Sequence, residues 1–171
     1  MKYFFITLCV AVSVFSLFTP DARAVSFKDI QILSRALSFI ENGPTGDVNI
    51  GVVYDASAAE ADEILSLVGT GIASGKIKLH AEKVSAKDAK SAQYPVLLFT
   101  AGTDTSQKAI FDAVNNKGII TVSMHDHCLN SSNCVMVVKS EPKVDIKVSS
   151  AAAETTGVSF GSAFRMMISE Q

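Results

Sequence analysis

Apolar residues recur along the chain at two spacings, and each spacing predicts one kind of element. From Phe27 to Ile40 they recur at intervals of three and four residues, which predicts a helix with one buried face. Ser26 stands in the N-cap position of this helix, and Asp29 follows in the capping-box position. Runs rich in β-branched residues instead predict short buried strands. These runs cover residues 48–54, 94–100 and 119–124.

The order of the predicted elements indicates a parallel sheet. Residues 76–84 alternate between polar and apolar side chains, as a half-exposed edge strand would. This segment and the three buried runs are separated from one another by helical patterns. Such an alternation of strand and helix is typical of a parallel sheet with helices on both faces.

The end of the chain follows a different pattern. Residues 134–139 and 144–148 flank a Ser-Glu-Pro-Lys turn, which predicts an antiparallel hairpin. Ser149 or Ser150 caps a last helix, which Gly157 interrupts. The buried stripe of this helix is predicted to contain Phe160, Phe164, Met167 and Ile168. We therefore predict an α/β fold: a three-layer α/β/α sandwich, with a mostly parallel sheet of five to six strands and an antiparallel C-terminal hairpin.

The first 24 residues have the features of a secretory signal. Lys2 provides a positive charge, residues 3–18 are apolar, and Ala22-Arg23-Ala24 matches the small-x-small cleavage pattern. The alternative is a membrane anchor, but the apolar run is short for a hydrocarbon core of about 30 Å. We expect cleavage after Ala24, which leaves residues 25–171 as a single exported domain that is not embedded in the membrane.

The charge balance excludes one class of partner. The formal net charge of the whole chain is −2. Removal of residues 1–24 takes away Lys2, Asp21 and Arg23, so the exported protein carries −3. No cluster of basic residues is present, and we therefore expect no binding to nucleic acid.

Cys128 and Cys134 are the two cysteines of the exported protein, and they allow two interpretations. In an oxidising compartment, an even pair six positions apart favours a disulfide. The alternative is a copper or zinc site, because His125 and His127 lie beside the cysteines and would point the same way in an extended backbone. A disulfide removes both thiolates, so the two interpretations compete. We favour the disulfide, and we expect no cofactor.

Patterns of known catalytic and nucleotide-binding sites are absent from the sequence. It contains no glycine-rich dinucleotide motif, no P-loop and no Gly-x-Ser-x-Gly elbow, so we assign no catalytic pair and predict that the protein is not an enzyme. Asp55, Ser57, Thr103 and Ser106 follow two of the predicted strands. Ligands bind at the carboxyl ends of parallel strands, so these four residues could hold a small ligand, as in one lobe of a periplasmic binding protein.

Four segments follow one another near the end of the chain: the strand at 118–124, the loop between Cys128 and Cys134, the hairpin strand at 144–148 and the alanine-rich segment 151–157. In these segments the chain resembles the YfiR-like periplasmic family. The resemblance extends more loosely over residues 27–168. Carried over residue by residue, Cys128 and Cys134 match the family's cysteine pair in the C-terminal loop.

This resemblance implies a periplasmic regulator that has no enzymatic activity. Such proteins bind the periplasmic sensor domain of an inner-membrane diguanylate cyclase and hold it inactive, so the implied partner is the periplasmic domain of an inner-membrane protein. A homodimer is a further expectation. Small-ligand binding and copper or zinc binding remain the two alternative functions at this stage.

Overall fold

The structure is a computed structural model that describes residues 24–171. The predicted signal segment therefore lies outside the described residues, apart from Ala24. The strands are β1 (Gly46–Tyr54), β2 (Ile72–Ser74), β3 (Ile77–Ser85), β4 (Val96–Phe99), β5 (Ile120–Ser123), β6 (Met136–Lys139), β7 (Asp145–Val148) and β8 (Ser169–Glu170). The helices are α1 (Phe27–Leu37), α2 (Ala59–Val68), α3 (Ala86–Ala89), α4 (Asp104–Val114), α5 (His127–Asn130), α6 (Ser150–Thr156) and α7 (Ser162–Arg165).

All the strands belong to one mixed sheet, in the order β2-β3-β1-β4-β5-β6-β7-β8. The five strands from β3 to β6 in this order run parallel, because helical connections carry the chain back between them. β2 pairs antiparallel with β3, and β6 pairs antiparallel with β7. The predicted α/β class and the C-terminal hairpin are thus confirmed.

The sheet contains two short strands that were not predicted. β2 is three residues long and covers the outer side of β3, so β3 is not the edge strand that its alternating pattern suggested. β8 is two residues long and adds to the outer side of β7. The six predicted strands become eight for this reason.

Helices cover both faces of the sheet, and each face has its own apolar core. The first core joins α1, α2 and α6 to the sheet and includes Ile30, Leu33, Ile50, Ile64 and Ala152. The second core joins α3, α4 and α5 to the opposite face and includes Val53, Ala89, Leu97, Ile110 and Leu129. The arrangement is the three-layer sandwich that the sequence predicted.

The predicted capping box at the start of α1 is confirmed, and it also ties the helix to the hairpin. The Ser26 hydroxyl accepts a hydrogen bond from the Asp29 N–H, and the Asp29 carboxylate accepts one from the Ser26 N–H at 2.8 Å. The other Asp29 oxygen accepts a hydrogen bond of 2.7 Å from the Ser140 N–H, which follows β6. Burial opposes ionisation of Asp29, but hydrogen bonds from Ser26 and Ser140 outweigh burial and lower its pKa.

The last predicted helix is broken into two short helices. α6 ends at Gly157, which has a left-handed backbone with φ of +72° and allows the chain to leave the helix. Phe160 and Phe164 are buried as predicted, whereas Met167 is 60% exposed. The prediction for Met167 was wrong because α7 spans four residues and the chain then turns into β8.

Candidate functional site

The carboxyl ends of β1 and β4 meet at the point where the chain reverses its direction of winding. The connection after β1 leads to β3 on one side, and β4 then returns to the other side of β1. Such a switch point opens a crevice in α/β sheets and commonly binds ligands. Two of the predicted ligand residues lie together there, because the Ser106 hydroxyl donates a hydrogen bond of 2.5 Å to the Asp55 carboxylate.

The other two predicted ligand residues make local contacts. The Ser57 hydroxyl accepts a hydrogen bond of 3.3 Å from the Ala59 N–H, at the start of α2. Thr103 is fully buried, and its hydroxyl donates a hydrogen bond of 2.7 Å to the Thr100 carbonyl. The small-ligand site of Asp55, Ser57, Thr103 and Ser106 stays a prediction, in which a ligand would compete with bonds that the protein already makes.

Glu60 is a central residue of this edge that sequence reasoning missed. One of its carboxylate oxygens accepts a hydrogen bond of 2.7 Å from the Ala101 N–H, in the loop after β4. The other lies 2.7 Å from the His125 Nε2. Glu60 therefore links α2 to the loops that follow β4 and β5. The Ala101 N–H that donates to this carboxylate would otherwise be available to bind an anion.

The two candidate metal ligands contact different groups. His125 contacts Glu60, whereas the His127 Nδ1 lies 3.4 Å from both the Asp104 carboxylate and the Gln107 side-chain oxygen. The backbone is not extended here, because Asp126 adopts a helical conformation and α5 begins at His127. The extended backbone in which the two histidines were expected to point the same way is therefore not present. Within residues 24–171, no group of three histidine, cysteine or acidic side chains has a metal-binding arrangement.

Cys128 and Cys134 form a disulfide in the structure. Their sulfur atoms are 2.00 Å apart and their Cα atoms 5.4 Å apart. Both residues are fully buried in the core that faces α4, together with Leu129 and Val137. The bond closes the loop between β5 and β6, so the sulfur atoms are part of the packed interior and are not presented at the surface.

A charged cluster joins this loop to the hairpin. Asp126 accepts hydrogen bonds from the ammonium groups of Lys139 and Lys147, the second at 3.3 Å. Burial opposes ionisation of Asp126, but hydrogen bonds and charge attraction from Lys139 and Lys147 outweigh burial and lower its pKa. The cluster and the disulfide together fix the loop against β6 and β7.

Removal of the disulfide should destabilise the protein moderately. Replacing Cys128 and Cys134 by alanine is expected to lower the free energy of unfolding by roughly 2 kcal/mol, because the unfolded chain regains the freedom of a seven-residue loop. Urea unfolding of the oxidised protein and of the double variant measures this difference. The wild-type protein in reducing agent is the control and should unfold like the variant. Equal urea midpoints for the oxidised protein and the variant would contradict the prediction.

An apolar groove lies between α1 and the C-terminal part of the chain. One wall includes Ile32 and Arg35 of α1 and Phe39, which follows the helix. The Arg35 guanidinium lies 5.3 Å from the centre of the Phe39 ring, at a distance that allows cation–π attraction. The cavity has a volume of about 360 Å³.

The opposite wall of the apolar groove comes from the C-terminal part of the chain. It consists of Val144 and Ile146 from the hairpin and of Phe164 and Met167 from the final segment. Phe164 is buried and stacks on Phe39 with the ring centres 5.0 Å apart, whereas Val144 and Met167 are exposed. The groove thus has a packed base and an accessible apolar rim, and sequence reasoning did not identify it.

No helix within residues 24–171 has the length and apolar character needed to cross a membrane. No curated protein matches the chain.

Comparison with solved structures and protein families identifies the fold and the family. A conserved domain protein from Vibrio cholerae O1 biovar El Tor str. N16961 has a similar fold, with a TM-score of 0.57 and 14% sequence identity. The similarity covers 84% of this chain and 59% of that protein. The YfiR/HmsC-like family matches residues 29–167, which include all strands but β8 and all seven helices except the first two residues of α1. The chain therefore belongs to the YfiR/HmsC-like family.

Proposed function

We propose that this protein acts in the periplasm, where it binds the periplasmic part of an inner-membrane signalling enzyme of the diguanylate cyclase type and represses it. The observation that carries the proposal is the family match over residues 29–167, because this family is one of periplasmic regulators. The match covers both the sheet and the cysteine loop.

The contacts of the three histidines support a function in binding and not in catalysis. Each histidine ring contacts a carboxylate: His80 contacts Asp47, His125 contacts Glu60, and His127 contacts Asp104. Within residues 24–171, no serine, threonine or cysteine side chain donates a hydrogen bond to a histidine ring, so the nucleophile and base of a hydrolytic triad are not paired. The protein is therefore proposed to regulate without catalysing a reaction.

Two features support a periplasmic location. The sequence predicts a cleaved signal in residues 1–24, and the disulfide between Cys128 and Cys134 suits an oxidising compartment. A regulator of the proposed kind needs this location, because it must reach the periplasmic side of an inner-membrane enzyme.

Measurement of cyclic-di-GMP in the native host tests the proposal. Deletion of the gene should raise the cellular cyclic-di-GMP level, since the repressed cyclase becomes active. Expression of the full-length gene should lower the level again. A gene that lacks codons 2–24 is the control and should not restore repression, because its product stays in the cytoplasm. An unchanged cyclic-di-GMP level after deletion would contradict the proposed function.

A further inference from the structure

The apolar groove exposes side chains that the protein's own packing does not cover. Val144 is 52% exposed and Met167 is 60% exposed, although both face a cavity whose base is the buried Phe164. Its volume of about 360 Å³ falls within the range of roughly 300–1,000 Å³ found for ligand-binding cavities. Contiguous exposed apolar surface with a polar rim marks interaction sites in soluble domains.

The charge in the groove has no partner of opposite sign. Within residues 24–171, no carboxylate lies within ion-pair distance of the Arg35 guanidinium, which lies over the Phe39 ring. Asp145 and Glu170 are the acidic residues of the adjacent strands, and both have other partners. Asp145 lies 3.7 Å from Lys147, and Glu170 lies 4.0 Å from Arg165. The groove therefore presents apolar surface and one unpaired positive charge.

This charge argues against a second copy of the chain as the occupant. In a symmetric dimer, the same surface of each copy faces the other across a two-fold axis. Two facing grooves would place two Arg35 side chains at one interface, and the described residues that line the groove include no carboxylate that could pair with them. A partner with apolar side chains beside a carboxylate complements the groove instead.

The backbone next to the groove restricts the form of the partner. β7 pairs with β6 along its whole length and with β8 at Lys147 and Val148, so within the described part of the chain only Asp145 and Ile146 keep a free outer edge beside the groove. Two residues are too short for an added strand, because strands usually have at least three. Recognition must then depend on side chains. An amphipathic helix supplies them, because it places apolar residues and a carboxylate on one face at intervals of three and four.

We infer that the apolar groove binds an amphipathic helix of the repressed membrane enzyme, with apolar side chains between α1 and the hairpin and with a carboxylate that pairs with Arg35. This inference rests on the proposed function and assigns a surface to it. The helix belongs to the periplasmic part of the enzyme, because that part is the one this regulator can reach.

Binding of the cyclase's isolated periplasmic domain tests the inference. The protein is purified from the periplasm, and its dissociation constant for that domain is measured by titration calorimetry. Met167→Glu should weaken binding by at least about tenfold, because the new carboxylate would either be buried by the interface or take Arg35 away from the partner's carboxylate. Arg35→Glu should weaken it similarly by repelling the partner's carboxylate. Met166→Glu is the matched control, since Met166 is 83% exposed, lies outside the groove and should bind within about twofold of wild type.

The possible outcomes separate this inference from the proposed function. If the wild-type protein does not bind the cyclase domain, the proposed function fails and the inference falls with it. If the wild-type protein binds and both groove variants bind equally well, the inference alone is overturned. Sedimentation of each variant tests whether a second copy of the chain occupies the groove. A variant that changes from dimer to monomer while its affinity for the cyclase domain is unchanged would also overturn the inference. Met167→Glu alters an exposed side chain and decides the result if Arg35→Glu does not fold.

Discussion

Truncation of Phe164 to alanine is expected to lower the free energy of unfolding by about 3–5 kcal/mol, the usual cost for a fully buried phenylalanine. Phe164 is 2% exposed, and its ring centre lies 5.0 Å from that of Phe39 and 5.4 Å from that of Phe160. The variant loses the apolar burial of the ring and both aromatic contacts, and it leaves a cavity between α1 and the final segment.

Urea unfolding of the two proteins measures this effect. Met167→Ala is the control, because Met167 lies three residues later on the same segment but is 60% exposed. The control should change the free energy of unfolding by no more than about 0.5 kcal/mol. Equal losses in the two variants would mean that Phe164 does not hold the C-terminal segment on α1, and that the base of the apolar groove is wrongly described.

Asp29→Ala should lower the free energy of unfolding by about 3 kcal/mol at neutral pH. The change removes the capping box of α1, at a cost of about 1 kcal/mol, and leaves the Ser140 N–H without its 2.7 Å acceptor in a buried position. Asp88→Ala is the matched control, because Asp88 forms the same kind of cap with Ser85 but is exposed. It should cost at most about 1 kcal/mol.

The Asp29 contribution should also depend on pH. Folding lowers the pKa of Asp29, so the charged carboxylate stabilises the folded protein fully above the pKa of the unfolded side chain, which is about 3.9. This stabilisation is lost as the pH falls below that value and through the lower pKa of the folded state. The difference in unfolding free energy between wild type and Asp29→Ala should therefore be smaller at pH 3 than at pH 7. A difference that grows on acidification would contradict the assigned sign.

The local parts of the fold could be predicted because neighbouring residues determine them. Ser26 and Asp29 lie three positions apart, so their capping box is visible in the sequence, and apolar periodicity locates α1. β2 and β8 are too short to carry a recognisable pattern. Met167 matched a helical spacing that could not apply once Gly157 ended α6 and the chain turned into β8.

The long-range parts of the site could not be predicted for a physical reason. Glu60 and His125 are 65 positions apart, and Asp29 and Ser140 are 111 positions apart. Their contacts depend on the strand order, which alternation of strands and helices does not specify. The apolar groove likewise needs α1 and the final segment to meet at Phe39 and Phe164, and no local pattern in either segment indicates that contact.

The apolar groove is the surface through which this protein is proposed to bind its partner. Phe164 and Phe39 form a stable base, and the exposed rim above them is free to contact another protein. The disulfide, the charged cluster and the capping box all fix the hairpin, which forms one wall of the apolar groove. A rigid surface of this kind loses little conformational entropy when a partner binds.

The proposed repression is tested most directly by the rate of cyclic-di-GMP synthesis by the full-length cyclase in nanodiscs, whose two faces are both accessible, measured while the purified protein is added. We predict that the rate falls to a low plateau as the protein is added, that Met167→Glu needs at least about ten times more protein for the same effect, and that Met166→Glu behaves as wild type. A rate that stays constant at all concentrations of the wild-type protein would contradict the proposed repression.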